Sequence, residues 1–466
     1  MKMHHDDVAW DRCDELLEEF KTKVSSPDIL RAVTEFMKSH RPNTKATDRA
    51  RIIGMGAFNL CFRMEFEDGF ASLLRFPCHG HVAFPEKKVR NEVAIMAYLK
   101  KHTKIPVPGV ISYGMKGQSP GGLGPFILME YIANASNLTA QLRAPGYQRG
   151  DRPFQDPIIE ESKLEFFYGQ LADILLELSK PCFERIGSME IDTWAIDSRP
   201  LTMNMNELVQ LGNFPPTMLP QSSFATASSY YKSLAKTEFL HLQTQRNDAV
   251  ESQEDCYSKY IARKLVYGLA EESRLLDISN ETGPFKLFCD DLRPSNILLD
   301  DDMKIIAVID WEFTYAAPRE YTFSPPWWLL LEMPEEWPQG VLDWKEKYQP
   351  RLETFLQVLK SREDSAIASG DLVEDQRLSG KMWQSWTSGD FWVHYGLRKS
   401  WAFDAVWPMM DARLFGGDTP LEDRDKLLCT ERLDFLSAED KKAMEPFAQE
   451  KLEQMKLRRL DIWDNI

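Results

Sequence analysis

The sequence predicts an α+β fold in two lobes, a small antiparallel β-rich lobe followed by a large helical one. Three observations predict it. Apolar and polar residues alternate with period two through Phe62, Met64 and Phe66, with a Gly-x-Gly turn before them and Asp68-Gly69 after them, which reads as a meander of short strands. After Ile132 the apolar spacing becomes that of helices. Inside the helical part lies one strand-rich island, Phe285 to Glu312, where an apolar run breaks into Cys289-Asp290-Asp291-Leu292-Arg293-Pro294-Ser295-Asn296 and returns as two further strands. At 466 residues the chain exceeds one small core. The division expected is a helical extension over 1–45, a β-rich lobe over 46–134, and a helical lobe over 135–466 with an insertion at about 195–235.

Taken in order, the first element is a helix whose Leu16, Leu17, Phe20 and Val24 share one face. Ser26-Pro27-Asp28 supplies an N-cap, a proline at the first helical position and an acid in the first turn, so a second helix follows. Strand, Gly54-Met55-Gly56 turn and strand then lead to Asp68-Gly69 and a third strand, Ala71 to Phe76, carrying Arg75. No βαβ unit stands here, which excludes a Rossmann dinucleotide site, and a plain hairpin by itself explains both glycines. Residues 86–101 form a helix with Val89, Val93, Met96 and Leu99 on its apolar face and Glu92 beside them. Val110 to Tyr113 and Phe126 to Ile132 are strands, the second apolar enough to be buried. Residues 141–157 read as loop, 164–178 as a long buried helix, and 256–279 as another helix. From about 335 onward the chain is helical and rich in tryptophan. Trp383, Trp386, Trp392, Trp401 and Trp407 are expected in the core or in a pocket wall.

Composition excludes several classes. A net charge of −16 argues against a nucleic-acid binder. Seven cysteines without a Cys-x-x-Cys pair point to a reducing, cytoplasmic setting. Met1 to Trp10 has no apolar segment of a signal peptide, and no run is long enough to span a membrane. His4-His5 and Cys78-His79-Gly80-His81 lack further ligands at metal-site spacing and read as loops.

The island carries the chemistry. Strand Ile297 to Leu299 turns on Asp300-Asp301-Asp302 and returns as Ile305 to Ile309, so the hairpin brings Asp291, Asn296 and Asp310 together. Hard oxygen ligands converging at strand ends suit a divalent cation, and Mg²⁺ best.

The order of parts then carries a resemblance. A glycine-containing hairpin, a basic residue on the next strand, a helix with a Glu, an apolar strand ending in Met129-Glu130-Tyr131-Ile132 and the Asp/Asn/Asp hairpin follow one another. This order resembles the two-lobed protein-kinase-like fold, and within it the aminoglycoside phosphotransferase/choline kinase-like family, fungal phosphotransferase-like branch, over roughly residues 48 to 320. Asp291-Leu292-Arg293-Pro294-Ser295-Asn296 looks like that family's Asp-Leu-His-Pro-Gly-Asn loop, and Ile309-Asp310-Trp311-Glu312 like its metal-binding segment.

The resemblance implies ATP and Mg²⁺ as cofactors and a small-molecule hydroxyl as acceptor, with no nucleic-acid or membrane partner. It implies that Asp291 is catalytic and orients the acceptor. It makes Asn296 and Asp310 the metal ligands and Gly54 and Gly56 the phosphate-covering turn. Arg75 would be the strand cation held by Glu92, and Glu130 to Ile132 the hinge beside the adenine. Three positions depart from the family pattern: Arg75 stands for Lys, Cys289 for His, and Asn59 for a third Gly. They leave two alternatives open, a pseudokinase that binds nucleotide or a protein partner without catalysis, and a scaffold that keeps only the fold.

Overall fold

Period-two alternation sets the small lobe. In the computed structural model, which describes residues 1–148, 150–276 and 281–463, five antiparallel strands form one sheet. They are β1 (Arg51–Met55), β2 (Asn59–Glu65), β3 (Ala71–Pro77), β4 (Val110–Gly114) and β5 (Phe126–Glu130), in the order β1-β2-β3-β5-β4. Leu60, Phe62, Met64, Leu74, Phe76, Phe126 and Leu128 point to one face and share a core with Leu17, Phe20, Val24, Val33 and Met37. Those five belong to α1 (Asp7–Val24) and α2 (Pro27–Ser39), so the N-terminal helices complete the small lobe's core. Ser26 caps α2 through the Ile29 N–H at 3.3 Å, as its sequence position requires. Because Leu74 and Phe76 face α1 and α2, Arg75 faces the opposite side, toward α3 (Pro85–His102).

β5 ends at Glu130, two residues short of the expected strand. Tyr131 turns its N–H to the Ala71 carbonyl at 2.9 Å, and the chain leaves the sheet as a connector to the large lobe. There follow β6 (Ser136–Asn137), α4 (Leu138–Leu142), α5 (Glu161–Ser179), the β7 (Ser188–Met189) and β8 (Ile196–Ser198) pair, and α6 (Met203–Leu211). Then come α7 (Ala227–Thr244) and α8 (Gln253–Glu271). The sequence expected α8 to run to residue 279. It stops at Glu271, where the Glu272 N–H bonds back to the Gly268 carbonyl at 3.1 Å, and residues 277–279 lie outside the described residues.

The strand island is β9 (Lys286–Cys289), β10 (Ile297–Leu299), β11 (Ile305–Val308) and β12 (Thr314–Ala317). β10 pairs with β11 and β6, and β9 with β12. The chain ends in α9 (Gly340–Ala368), α10 (Ser379–Ser388), α11 (Asp390–Arg398), α12 (Phe403–Phe415) and α13 (Ala438–Leu457). Trp386, Trp392 and Trp407 are buried in the large-lobe core and Trp401 is half-buried against it. Trp383 is 39% exposed on α10, outside the core, and lines an open surface groove with Leu356 and Lys360 of α9. Among the described residues no helix is long and apolar enough to cross a membrane.

Candidate active site

A cleft of about 430 Å³ opens where the sheet meets the strand island. That is within the range of small-molecule sites. Its lining includes Gly56, Arg75, Glu92, Glu130, Ile132, Asp291, Asn296 and Asp310, so all but one of the expected site residues meet there. The exception is Gly54, which sits in β1 opposite Cys61, beside a bulge, and outside the lining. A Cβ at Gly56 would meet only the Asn59 carbonyl, at 3.9 Å, so the turn leaves open space over the cleft.

Asp291 is 6% exposed at the start of the loop after β9. The Asn296 side-chain amide donates to its carbonyl at 2.8 Å and to its carboxylate at 3.0 Å. Arg293 pairs with the other carboxylate oxygen at 2.8 Å. Burial pushes the Asp291 carboxyl up to about 6, against the pull of Arg293. Asp290 points elsewhere: it accepts from the Met203 N–H at the start of α6 at 3.0 Å and from the Tyr315 hydroxyl at 3.4 Å. One adjacent acid thus faces the cleft and the other anchors α6. Cys289, where the family pattern has His, is buried opposite Thr314, and burial pushes its thiol up so that it stays neutral.

Asp310 follows β11 in a left-handed conformation, φ +63°. Such backbone in a non-glycine residue is strained and persists only where the surroundings hold it. Here the Ile309 N–H donates to the Asn296 carbonyl at 2.9 Å, and the Trp311 indole to the Val308 carbonyl at 2.9 Å. Arg75 is 5% exposed and bridges two acids, donating through one guanidinium nitrogen to Glu92 and through the other to Asp310. The planar fork of arginine makes that double contact possible, where a lysine would reach with a single point charge.

The sequence reading missed a second pair beside this one. Lys88 meets Glu312 at 2.8 Å, each side chain 1% exposed. Asn59 joins both, donating to Glu312 at 2.7 Å and accepting from Lys88 at 2.6 Å. Burial opposes the Glu312 charge, yet Lys88 and Arg75 hold its carboxyl below the usual range. The only sequence signal was spacing: Lys88 and Glu92 are four apart on one helix face. Glu207 on α6 was missed as well, and burial pushes its carboxyl up to about 7 beside Lys399 and Asp290.

No protein-family model matches the chain, and no curated protein matches it. Its likeness is to solved phosphotransferases. A macrolide 2'-phosphotransferase type I is 13% identical, with 83% of this chain and 98% of that one covered at a TM-score of 0.40. A macrolide 2'-phosphotransferase from Brachybacterium faecium is 12% identical, with coverage of 84% and 100% at 0.37. An amicoumacin kinase in complex with AMP-PNP and Ca²⁺ is 12% identical, with coverage of 95% and 98% at 0.39. At these scores the likeness is loose, and each reaction belongs to the protein that carries the name.

The residues present fit a nucleotide and a divalent cation on their own chemistry. Ile132, at the connector, has an N–H with no partner among the described residues, while the neighbouring Glu130 and Tyr131 N–H groups are taken by the Gly109 and Ala71 carbonyls. Asn296 spends its amide nitrogen on Asp291, and its side-chain carbonyl oxygen, which accepts a 3.3 Å bond from the Ser295 hydroxyl, has a second lone pair of the kind a hard cation takes. Glu92, Asp310 and Glu312 bring three carboxylate oxygens within 4.8 Å of one another. Arg75 contacts both Glu92 and Asp310 and Lys88 contacts Glu312, so the three carboxylates share two cations.

Proposed function

We propose that the protein is a phosphotransferase of the aminoglycoside phosphotransferase/choline kinase-like family, fungal phosphotransferase-like branch. It would move the γ-phosphoryl group of ATP to a hydroxyl of a small molecule in the cytoplasm. The observation that carries this reading is the convergence of Asp291, Asn296 and Asp310 with the Glu92-bound Arg75 under one glycine turn. When bound, Mg²⁺ would supply charge neutralisation between the phosphates, with Asn296 and Asp310 as its protein ligands. Glu130 and Ile132 would seat the adenine through backbone groups. Arg75 would supply fixed positive charge, its orientation held by Glu92. Asp291 would accept the acceptor hydroxyl as a hydrogen-bond donor and orient it. Its raised proton affinity suits that task, and Arg293 keeps the carboxylate aimed. Seven free cysteines support a reducing location. The acceptor would lie against α6 and the segment around Lys399, where Glu335 stands 3.8 Å from the Lys399 ammonium.

A pseudokinase reading has its own support: Arg75 occupies Asp310 and Arg293 occupies Asp291, so both acids already have cations. ATP consumption across a panel of small hydroxyl compounds separates the two. Turnover lost in Asp291→Asn, with Mg²⁺-dependent ATP binding retained, supports the enzyme. Mg·ATP binding without turnover on any compound supports the pseudokinase.

A further inference from the structure

We propose that Lys88, acting with Asn59, is a positioning residue that fastens Glu312 and so lets helix α3 set where Asp310 points. The inference rests on the phosphotransfer reading and adds to it Lys88, which no motif marks, and a role for Asn59, which stands where the family pattern has a third Gly.

The geometry is a double clamp from one helix face. Glu92 holds Arg75, which holds Asp310; one turn earlier on α3, Lys88 holds Glu312 at 2.8 Å. Between them Asn91 donates to the main chain of the same segment, at 3.3 Å to the Glu312 carbonyl and 2.8 Å to the Thr314 carbonyl. Lys88, Asn91 and Glu92 therefore grip residues 310–314 at side chain and backbone together. Asn59 closes the arrangement. It is the first residue of β2, directly after the glycine turn, and it bonds both Lys88 and Glu312. Turn, helix and metal-binding segment thus meet on one carboxylate.

The clamp has a task beyond stability. A buried ion pair by itself is weak evidence of stabilisation, since well-packed apolar side chains do as well. What the pair supplies here is constraint next to Asp310, whose φ of +63° has to be held from both sides. The clamp also sets the balance of charge. Glu92, Asp310 and Glu312 are three acids against Arg75 and Lys88. Without Lys88, a cation would be drawn in among all three carboxylates, away from Asn296. With Lys88 in place Glu312 is spent as a strut, and Asp310, bound to Arg75 through one oxygen and 28% exposed, is the acid that reaches the cleft.

The test is titration of ATP into the full-length protein with and without Mg²⁺, by calorimetry, for wild type, Lys88→Met, Lys88→Arg and Glu312→Gln. Lys88→Met is expected to keep its metal-free ATP affinity within about twofold while losing about tenfold of the Mg²⁺-dependent gain, roughly 1.4 kcal/mol. Lys88→Arg keeps the charge in another geometry and is expected to lose about threefold, and Glu312→Gln to lose as much as Lys88→Met. If Lys88→Met does not fold, Lys88→Arg and Glu312→Gln carry the same test. A gain retained in full by the folded variants overturns the clamp while the phosphotransfer reading stands. A wild type whose ATP affinity does not respond to Mg²⁺ overturns that reading, and the clamp with it.

Discussion

Asp291 and Arg75 are each held by opposite charge, and what each can do follows from how buried that contact is. Arg293 is half-exposed, so it steers the Asp291 carboxylate without cancelling it. Replacing Asp291 by Asn is expected to cut turnover by about 10²- to 10⁴-fold while Mg·ATP affinity stays within a few-fold, as read by steady-state kinetics beside calorimetry. Arg75 is buried between two acids, so its removal leaves uncompensated charge. Arg75→Met is expected to lower unfolding stability by about 3–5 kcal/mol in denaturant titration, and Arg75→Lys by less. The departures from the family pattern look different at this scale. Arg75 makes two contacts that its shape allows. Asn59 ties the glycine turn to Glu312. Cys289 is a packed neutral residue in a strand pair.

At the scale of elements, α1 does more than extend the chain. Its N-cap Asp6 is fully buried, accepts from the Ala9 N–H at 3.0 Å and receives both the backbone N–H and the side-chain amide of Asn247. At its other end Phe20 and Val24 join the small-lobe core, so one helix ties the two lobes. Asp6→Ala removes a cap and two charge-assisted bonds and is expected to cost about 2–4 kcal/mol, measured by chemical unfolding. Helix α7 carries a pH-sensitive element. Glu238 is fully buried and bonded to the Ser400 hydroxyl at 2.7 Å, and burial pushes its carboxyl up to about 8. The unfolded chain ionises that group near 4.5, so the fold keeps a proton that the unfolded state has lost. Stability from this group is therefore full below about pH 4.5 and declines as pH rises toward 8. Glu238→Gln is expected to flatten the fall in melting temperature between pH 5 and 8. An unchanged slope would exclude Glu238 as its source.

Across the whole molecule, one apolar core joins α1 and α2 to one face of the sheet, a second runs from α3 and the other face of β5 into the large lobe's helices, and the cleft opens at the junction of sheet and strand island. Arg75–Asp310 and Lys88–Glu312 cross that junction. A ligand seated there touches both lobes and binds the folded state alone. At a hundred times its dissociation constant Mg·ATP is expected to add about 2.7 kcal/mol, seen as a rise in melting temperature larger than with ATP alone. Equal shifts with and without Mg²⁺ would remove Asn296 and Asp310 from the metal's ligands.

Much of the fold was legible because periodicity is local. The alternation of Phe62, Met64 and Phe66 set the sheet, Ser26-Pro27-Asp28 set a helix start, and the apolar strands around Asp300-Asp301-Asp302 placed Asn296 and Asp310 on one hairpin. Asp291 was legible for the same reason, being a few residues from that hairpin. Where β5 releases the chain was not, since Tyr131 and Ile132 are as apolar as a strand and only the Ala71 carbonyl decides the exit. Nor was the task of Lys88. A lysine among charges on a helix reads as a solvated face, and its burial depends on Glu312 and Asn59, which lie 224 and 29 residues away. Sequence alone thus determined the elements and the acids of the loop, whose signals are short-range. Tertiary structure decided which charges pair, because pairing in a buried junction depends on side chains brought together from β2, β3, α3 and the segment after β11.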